Sequence, residues 1–138
     1  MRYVKFGLKW LFAAFFVVAG VNHFTNPDFF LKIMPDYIPV GLHAPAVFWS
    51  GVAEVALGVL LVIPRTQKLA AWGLIALLVA VFPANIYGFQ HSEEIFHISK
   101  SAHFIRLPLQ AVMIAWAWWY TRPESPSTPS KPTTYDLI

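Results

Sequence analysis

Apolar residues along this chain fall into four long blocks, separated by short stretches where prolines and basic residues gather. The blocks cover residues 7–24, 45–63, 69–89 and 102–120. Each approaches the roughly 20 mostly apolar residues that a helix needs to cross a bilayer. The pattern predicts an all-α membrane protein, a bundle of four transmembrane helices forming one domain over residues 1–121. The turn Pro64-Arg65-Thr66-Gln67 is short enough to make the second and third helices antiparallel neighbours. The connection from Thr25 to Ala44 is longer and partly apolar. Within it, Asn26-Pro27-Asp28 reads as an N-cap, a first-turn proline and an acidic residue. Phe29, Phe30, Leu31, Ile33 and Met34 follow, then Pro35 and Pro39. A short helix in or on the membrane interface is expected there. Residues 122–138 carry proline at every third position from Pro123 to Pro132 among serines and threonines, the composition of a disordered tail.

Composition agrees with the pattern. Charged residues make up 12% of the 138 positions and hydrophobic residues 57%. A soluble domain usually carries about 25% charged residues, so lipid is the natural solvent for this surface. The mean hydropathy is +0.55. A net charge of +3 is too small and too scattered to suggest nucleic acid. There is no cysteine, which excludes CxxC redox chemistry, iron–sulfur ligation and thiol nucleophiles.

The placement of charge is more informative than its sum. Arg2, Lys5 and Lys9 precede or open the first block, Arg65 and Lys68 occupy the second connection, and Arg122 follows the fourth block. The other two connections hold only Lys32 and Lys100. By the positive-inside rule, both termini face the cytoplasm, and a bacterial inner membrane is the expected location. Lys9 is expected to snorkel to the headgroups. The first block resembles a signal peptide, but it ends in Asn22-His23-Phe24 rather than in small residues of a cleavage site, so it is read as a retained span.

Polar residues inside apolar blocks call for a reason, because a charged side chain at mid-bilayer costs about 2.5–3.5 kcal/mol on insertion scales. Glu54 and Arg106 are the charged cases, accompanied by Asn22, His23, Asn85, His103 and Gln110. Given the orientation, all of them fall in the outer half of the bundle. His103, Arg106 and Gln110 share one helical stripe. Gly51 and Gly58 flank Glu54 on its own face, where they admit a close neighbouring helix. Pro83 and Pro108 withhold helical donors from the carbonyls of Val79 and Phe104. Two readings stand side by side. One is a polar chamber with Glu54 and Arg106 as its charged pair; the other is a buried ion pair that only fixes helix register.

His91, His97 and His103 recur every sixth residue around Glu93 and Glu94, which does not place them on one helical face, and no compact zinc spacing is present. No metal is expected, and haem ligation by His23 and His103 is a weaker reading than interfacial histidines facing water. Phe12, Phe15 and Phe16 read as packing or lipid-facing residues. Trp10, Trp49, Trp72, Trp116, Trp118 and Trp119 suit the headgroup region where they fall near span ends. There is no phosphate-cradling loop, nucleophile elbow or HExxH.

Ala19-Gly20-Val21-Asn22-His23-Phe24, Gly51-Val52-Ala53-Glu54 with Gly58, Phe82-Pro83-Ala84-Asn85-Ile86-Tyr87 and Arg106-Leu107-Pro108-Leu109-Gln110 together resemble the DoxX-like membrane proteins. The resemblance covers the four blocks and omits the tail. It implies a four-helix membrane bundle. The group includes subunits linked to thiosulfate:quinone oxidoreduction, proteins of oxidative-stress complexes and receptor chaperones, and no shared catalytic mechanism comes with it. Members that use cysteine pairs are poor guides for this cysteine-free chain.

These readings lead to an accessory protein, not catalytic on its own, whose chamber of Asn22, His23, Glu54, Asn85, Arg106 and Gln110 binds a small amphipathic molecule such as a quinone or lipid, or a partner protein. Membrane lipids, a membrane-protein partner or a second copy are the expected companions. A membrane-protein assembly factor, and a subunit of a quinone-linked oxidoreductase, are the alternatives.

Overall fold

A computed structural model describes residues 2–97 and 99–123, so the expectation for the tail lies outside the described residues from position 124 onward. The described chain is helical, with no strand among its elements. In order these are α1 (Arg2–Thr25), α2 (Pro27–Lys32), a 3₁₀ turn (Val40–Leu42), α3 (His43–Val62), α4 (Gln67–Gln90), α5 (Ser92–Phe96), α6 (Lys100–Phe104) and α7 (Arg106–Thr121). Three stretches, Arg2–Thr25, Val40–Val62 and Gln67–Gln90, are helices long and apolar enough to cross a membrane. They leave large apolar side chains uncovered, such as Phe15 (52% exposed), Val18 (69%), Trp49 (64%) and Val79 (58%).

The fourth apolar block is divided between α6 and α7 instead of forming one helix. Pro108 explains the break. It has no N–H to offer the carbonyl of Phe104, and its ring crowds that carbonyl, so α6 ends there and regular bonding resumes from Ile105 to Leu109. Pro83 lies equally deep in α4, yet that helix runs through it. The short helix expected after Thr25 is present as α2, with Pro27 at its first position. Asn26 occupies the N-cap position, but its side chain makes no capping bond; its backbone N–H instead reaches the carbonyl of Asn22 at 2.9 Å, as the end of α1 runs almost directly into α2.

Each long helix buries one stripe. On α1 it is Lys9, Phe12, Ala13, Phe16, Gly20 and His23; on α3, Val47, Gly51, Glu54, Gly58 and Leu61; on α7, Gln110, Met113, Ala117 and Tyr120. These spacings of three and four are those of a single helical face. The main helix pairings are α1 with α3, α4 with α7, and α3 with α4. The last is set by the turn at residues 63–66. There the Thr66 hydroxyl donates to the carbonyl of Leu60 at 2.8 Å and the Gln67 N–H to that of Ile63 at 2.9 Å, satisfying carbonyls that the end of α3 would leave orphaned.

The apolar core sits toward the end of the bundle that carries Arg2, this turn and Arg122, here called the basal end. It joins Phe12 and Phe16 to Leu61, Ala70, Ala71, Leu74, Met113, Ala117 and Tyr120. Phe12 is its hub, with ring centroids 5.0 Å from Phe16 and 4.5 Å from Trp116. Of the three phenylalanines in this stretch, Phe12 and Phe16 are therefore packing residues and Phe15 faces outward.

Glycine decides the α1–α3 contact. A Cβ on Gly20 would stand 2.7 Å from the carbonyl oxygen of Gly51, and one on Gly51 would stand 2.9 Å from that of Gly20. One turn-pair along, a Cβ on Gly58 would meet the Ala13 carbonyl at 3.0 Å. The two backbones touch, as small residues in membrane helices allow. Gly20→Ala or Gly51→Ala should destabilise the protein by about 1–3 kcal/mol through overpacking against backbone that cannot yield. Gly7→Ala and Gly41→Ala, where a Cβ meets open space, should leave the midpoint unchanged. Thermal unfolding of detergent-solubilised protein, read by size-exclusion recovery, checks both outcomes.

Candidate functional site

The polar residues of the distal end, opposite the termini, come together as two separate pairs. The first lies between α1 and α3. His23 Nε2 is 3.5 Å from Glu54 Oε1, and both residues are more than nine-tenths buried. The partner of Glu54 is therefore His23; the expected Glu54–Arg106 pair is not formed. The cause is geometric: the Gly20–Gly51 contact brings the last turn of α1 directly over α3, and His23 follows Gly20 by three positions on the same stripe.

The orientation of the imidazole follows from its partners. His23 Nδ1 lies 2.9 Å from the carbonyl oxygen of Val47, which can only accept, so Nδ1 carries a hydrogen. Nε2 then faces a carboxyl oxygen of Glu54 at 3.5 Å. The remaining carboxyl oxygen, Oε2, is buried and has no hydrogen-bond partner among the described residues. An orphaned buried acceptor is uncommon enough to require an account.

The second pair lies between α4 and α7. Asn85 Nδ2 donates to Gln110 Oε1 at 2.7 Å, and Gln110 Nε2 donates to the carbonyl of Leu78. That carbonyl is one residue before Val79, whose helical donor is missing because residue 83 is proline. Gln110 is 5% exposed, and both ends of its amide are engaged.

Arg106 stands apart from both pairs. It is half-buried, and its guanidinium carbon lies 5.6 Å from the centre of the Phe29 ring. Phe29 packs edge-on to Phe30 at 5.2 Å, and Phe30 stacks on the His23 imidazole at 3.6 Å. Two aromatic residues of α2 thus bridge α7 to the His23–Glu54 pair across the distal end of the bundle. Sequence reasoning treated them only as the apolar face of an interfacial helix. The signal that would have found them is the adjacency of Phe29-Phe30 to a span ending in histidine. Beside His23, a pocket of about 230 Å³ is lined by Phe24, Pro27, Leu31, Val47 and Phe48.

Three further expectations are corrected. Asn22 does not join the cluster: it is exposed and borders a shallow groove with Leu11, Phe15 and Val18 on another face of α1, since it precedes His23 by one position and so by about 100° of helix. Lys9 does not snorkel. It is 8% exposed and donates to Gln67 Oε1 at 3.0 Å, because it falls on the buried stripe with Phe12, Ala13 and Phe16. For the same reason the polar groups are not confined to the distal half. The His103 side chain, one candidate for the haem reading, lies outside the described residues. Both ring nitrogens of His23 already face protein oxygens. Among the described residues, no group of three or more metal-ligating side chains gathers.

No curated protein and no solved structure matches this chain. A family model does, over residues 12–121, a range that takes in both polar pairs, Arg106 and the whole glycine contact. The chain belongs to the family described as a domain of unknown function, DUF8561.

Proposed function

We propose that this chain is a multi-pass membrane accessory protein that holds the polar head of a small amphipathic molecule, such as a quinone or a lipid, at the distal end of its bundle. The observation that carries the reading is the Glu54 carboxyl group, buried, facing His23 through one oxygen and lacking any partner among the described residues on the other. His23 is both the wall of the 230 Å³ pocket and the contact to that carboxyl. A hydroxyl or amide N–H entering beside His23 would give Oε2 its missing donor. Arg106, seated on Phe29, supplies a cation at the same end for an anionic or carbonyl group. The Asn85–Gln110 pair needs no ligand, because it is satisfied within the protein; its role is to hold α4 against α7.

The same reading takes α1, α3, α4 and the α6–α7 unit as four spans, with α2 lying at the outer interface and both termini in the cytoplasm, by the distribution of Lys and Arg. At 1.5 Å per residue α7 alone reaches about 24 Å, short of the hydrocarbon thickness of about 30 Å, and α6 supplies the remainder. The resemblance to DoxX-like proteins is retained as part of the proposal, resting on the four motifs quoted for it.

Three outcomes are expected. Native mass spectrometry of protein gently extracted from its own membrane should show a small-molecule adduct that disappears in Glu54→Gln while the unfolding temperature stays within a few degrees of wild type. Bare protein in both samples would reduce the His23–Glu54 pair to a packing device. Gln110→Leu should cost about 1–3 kcal/mol by leaving the Asn85 amide unpaired. Adding Asn85→Leu should then cost less than the sum of the single changes, a coupling that thermal unfolding of all four proteins would reveal. Finally, the cysteine-free background permits single-cysteine labelling. Ser99→Cys should react with an impermeant maleimide in intact cells, while Arg65→Cys and Pro123→Cys should react only after permeabilisation. External labelling at position 123 would mean that the α6–α7 unit does not cross.

A further inference from the structure

The basal end holds a cleft of about 840 Å³ between the start of α1, the α3–α4 turn and the end of α7. Four cations line it, Arg2, Lys9, Lys68 and Arg122, and among the described residues no acidic one does. A surplus of Lys and Arg at one end is what the positive-inside rule produces, and it would be satisfied by side chains reaching into water. Lys9 is different. It is 8% exposed, its stem runs along the buried stripe of α1, and its ammonium meets a neutral amide, Gln67 Oε1, at 3.0 Å. A lysine ammonium has three donors, and among the described residues no carboxylate lies within ion-pair distance of it. A buried cation without a counter-charge is costly, and the cost is relieved by an anion that enters with hydrogen-bonding oxygens.

The surroundings specify the anion further. Gln67 and Lys68 are the first residues of α4, which begins with no side-chain cap, so its positive end faces the same cleft. Arg122 is held in place by stacking on Trp118 at 3.9 Å. Tyr3 and Phe6, 90% and 57% exposed, stand on the lipid side of the opening. Cations above and exposed aromatic and apolar side chains beside them match a molecule with a phosphate head and an acyl body. We propose that this cleft is a binding site for an anionic glycerophospholipid, with Lys9 as the inner phosphate ligand and Lys68, Arg2 and Arg122 as the outer ones. The proposal rests on the membrane reading of the chain but is independent of the distal ligand.

The test is titration of the full-length purified protein with phosphatidylglycerol or phosphatidylcholine, followed by native mass spectrometry. Wild type should prefer phosphatidylglycerol by about tenfold or more, on the scale of the surface attraction of several basic residues. Lys9→Gln should bring that preference close to one, leaving phosphatidylcholine binding as it was. The exposed pair Lys68→Gln with Arg122→Gln should lower the preference without touching the packed stripe, which covers the case in which Lys9→Gln fails to fold. Glu54→Gln should retain the preference, so that this site and the distal one fail separately. Equal affinity for the two lipids in wild type, or an undiminished preference in Lys9→Gln, would overturn the proposal. So would displacement of phosphatidylglycerol by millimolar inorganic phosphate, which would make free phosphate the ligand.

Discussion

The contact on which the rest of the distal architecture depends is the meeting of two backbones, Gly20 on α1 and Gly51 on α3, each close enough that a methyl group at either position would strike the other's carbonyl. In lipid there is no hydrophobic drive to bring helices together, because the tails are as apolar as the side chains; close backbone packing and buried polar contacts must supply the attraction. Here the first makes the second possible. Because α1 and α3 touch at Gly20 and Gly51, His23 comes within 3.5 Å of Glu54 without either side chain stretching away from its own helix. Larger residues at the contact would move a histidine away from a carboxyl group and leave both groups in hydrocarbon.

The arrangement treats its buried polar groups in three ways. Gln110 is closed: its amide gives to Leu78 and receives from Asn85. Glu54 is half closed, with one oxygen toward His23 and one without a partner among the described residues. Lys9 carries an ammonium that meets a neutral amide and the face of the Phe6 ring, with no carboxylate beside it among the described residues. A seam that is fully satisfied fixes packing and offers little to a ligand, whereas a half-satisfied group retains the free energy that a ligand's donor or acceptor can recover. That difference, more than the mere presence of polar residues in apolar helices, separates the structural pair from the candidate sites.

The extent to which the sequence disclosed this follows from what periodicity can carry. Apolar blocks announced α1, α3 and α4 to within a few residues of their ends, since length and hydropathy are local properties. The buried face of α3 was also legible, because Gly51, Glu54 and Gly58 repeat at helical spacing. Partner choice was not. Opposite formal charge favoured Arg106 for Glu54, but pairing depends on which helices touch, and α1 takes the place beside α3. Histidine has no assigned charge in such a count, so His23 stands there as one chamber residue among several and not as the partner of Glu54. Lys9 was misjudged for a related reason. A lysine near a span end has two destinations, headgroups or interior, and only the stripe shared with Phe12 and Phe16 decides between them. The proline at 108 was seen as freeing the Phe104 carbonyl; that it would divide the helix, while Pro83 does not, depends on what the neighbouring helix offers to the loosened turn.

That contrast between the two prolines bears on how the distal end is held together. At Pro83 the loosened stretch of α4 has Gln110 beside it, whose amide donates to the carbonyl of Leu78, one residue from the carbonyl that Pro83 deprives, and the helix continues. α7 itself has only α4 as an extensive partner, and its N-terminal end at Pro108 lies toward the distal side, where α5 and α6 are single turns of helix or little more. A break there costs little packing and allows α7 to begin at Arg106 with the guanidinium turned toward Phe29. The connection from α7 through Phe29 and Phe30 to His23 therefore runs through rings, whose contacts are tolerant of small displacements, whereas the connection from α1 to α3 runs through backbone atoms, whose contacts are not. The α1–α3 half of the distal end is joined through backbone and carries the His23–Glu54 pair. The α2 and α7 side is joined to it by stacked rings, and in the ligand reading proposed above it is the side that would yield.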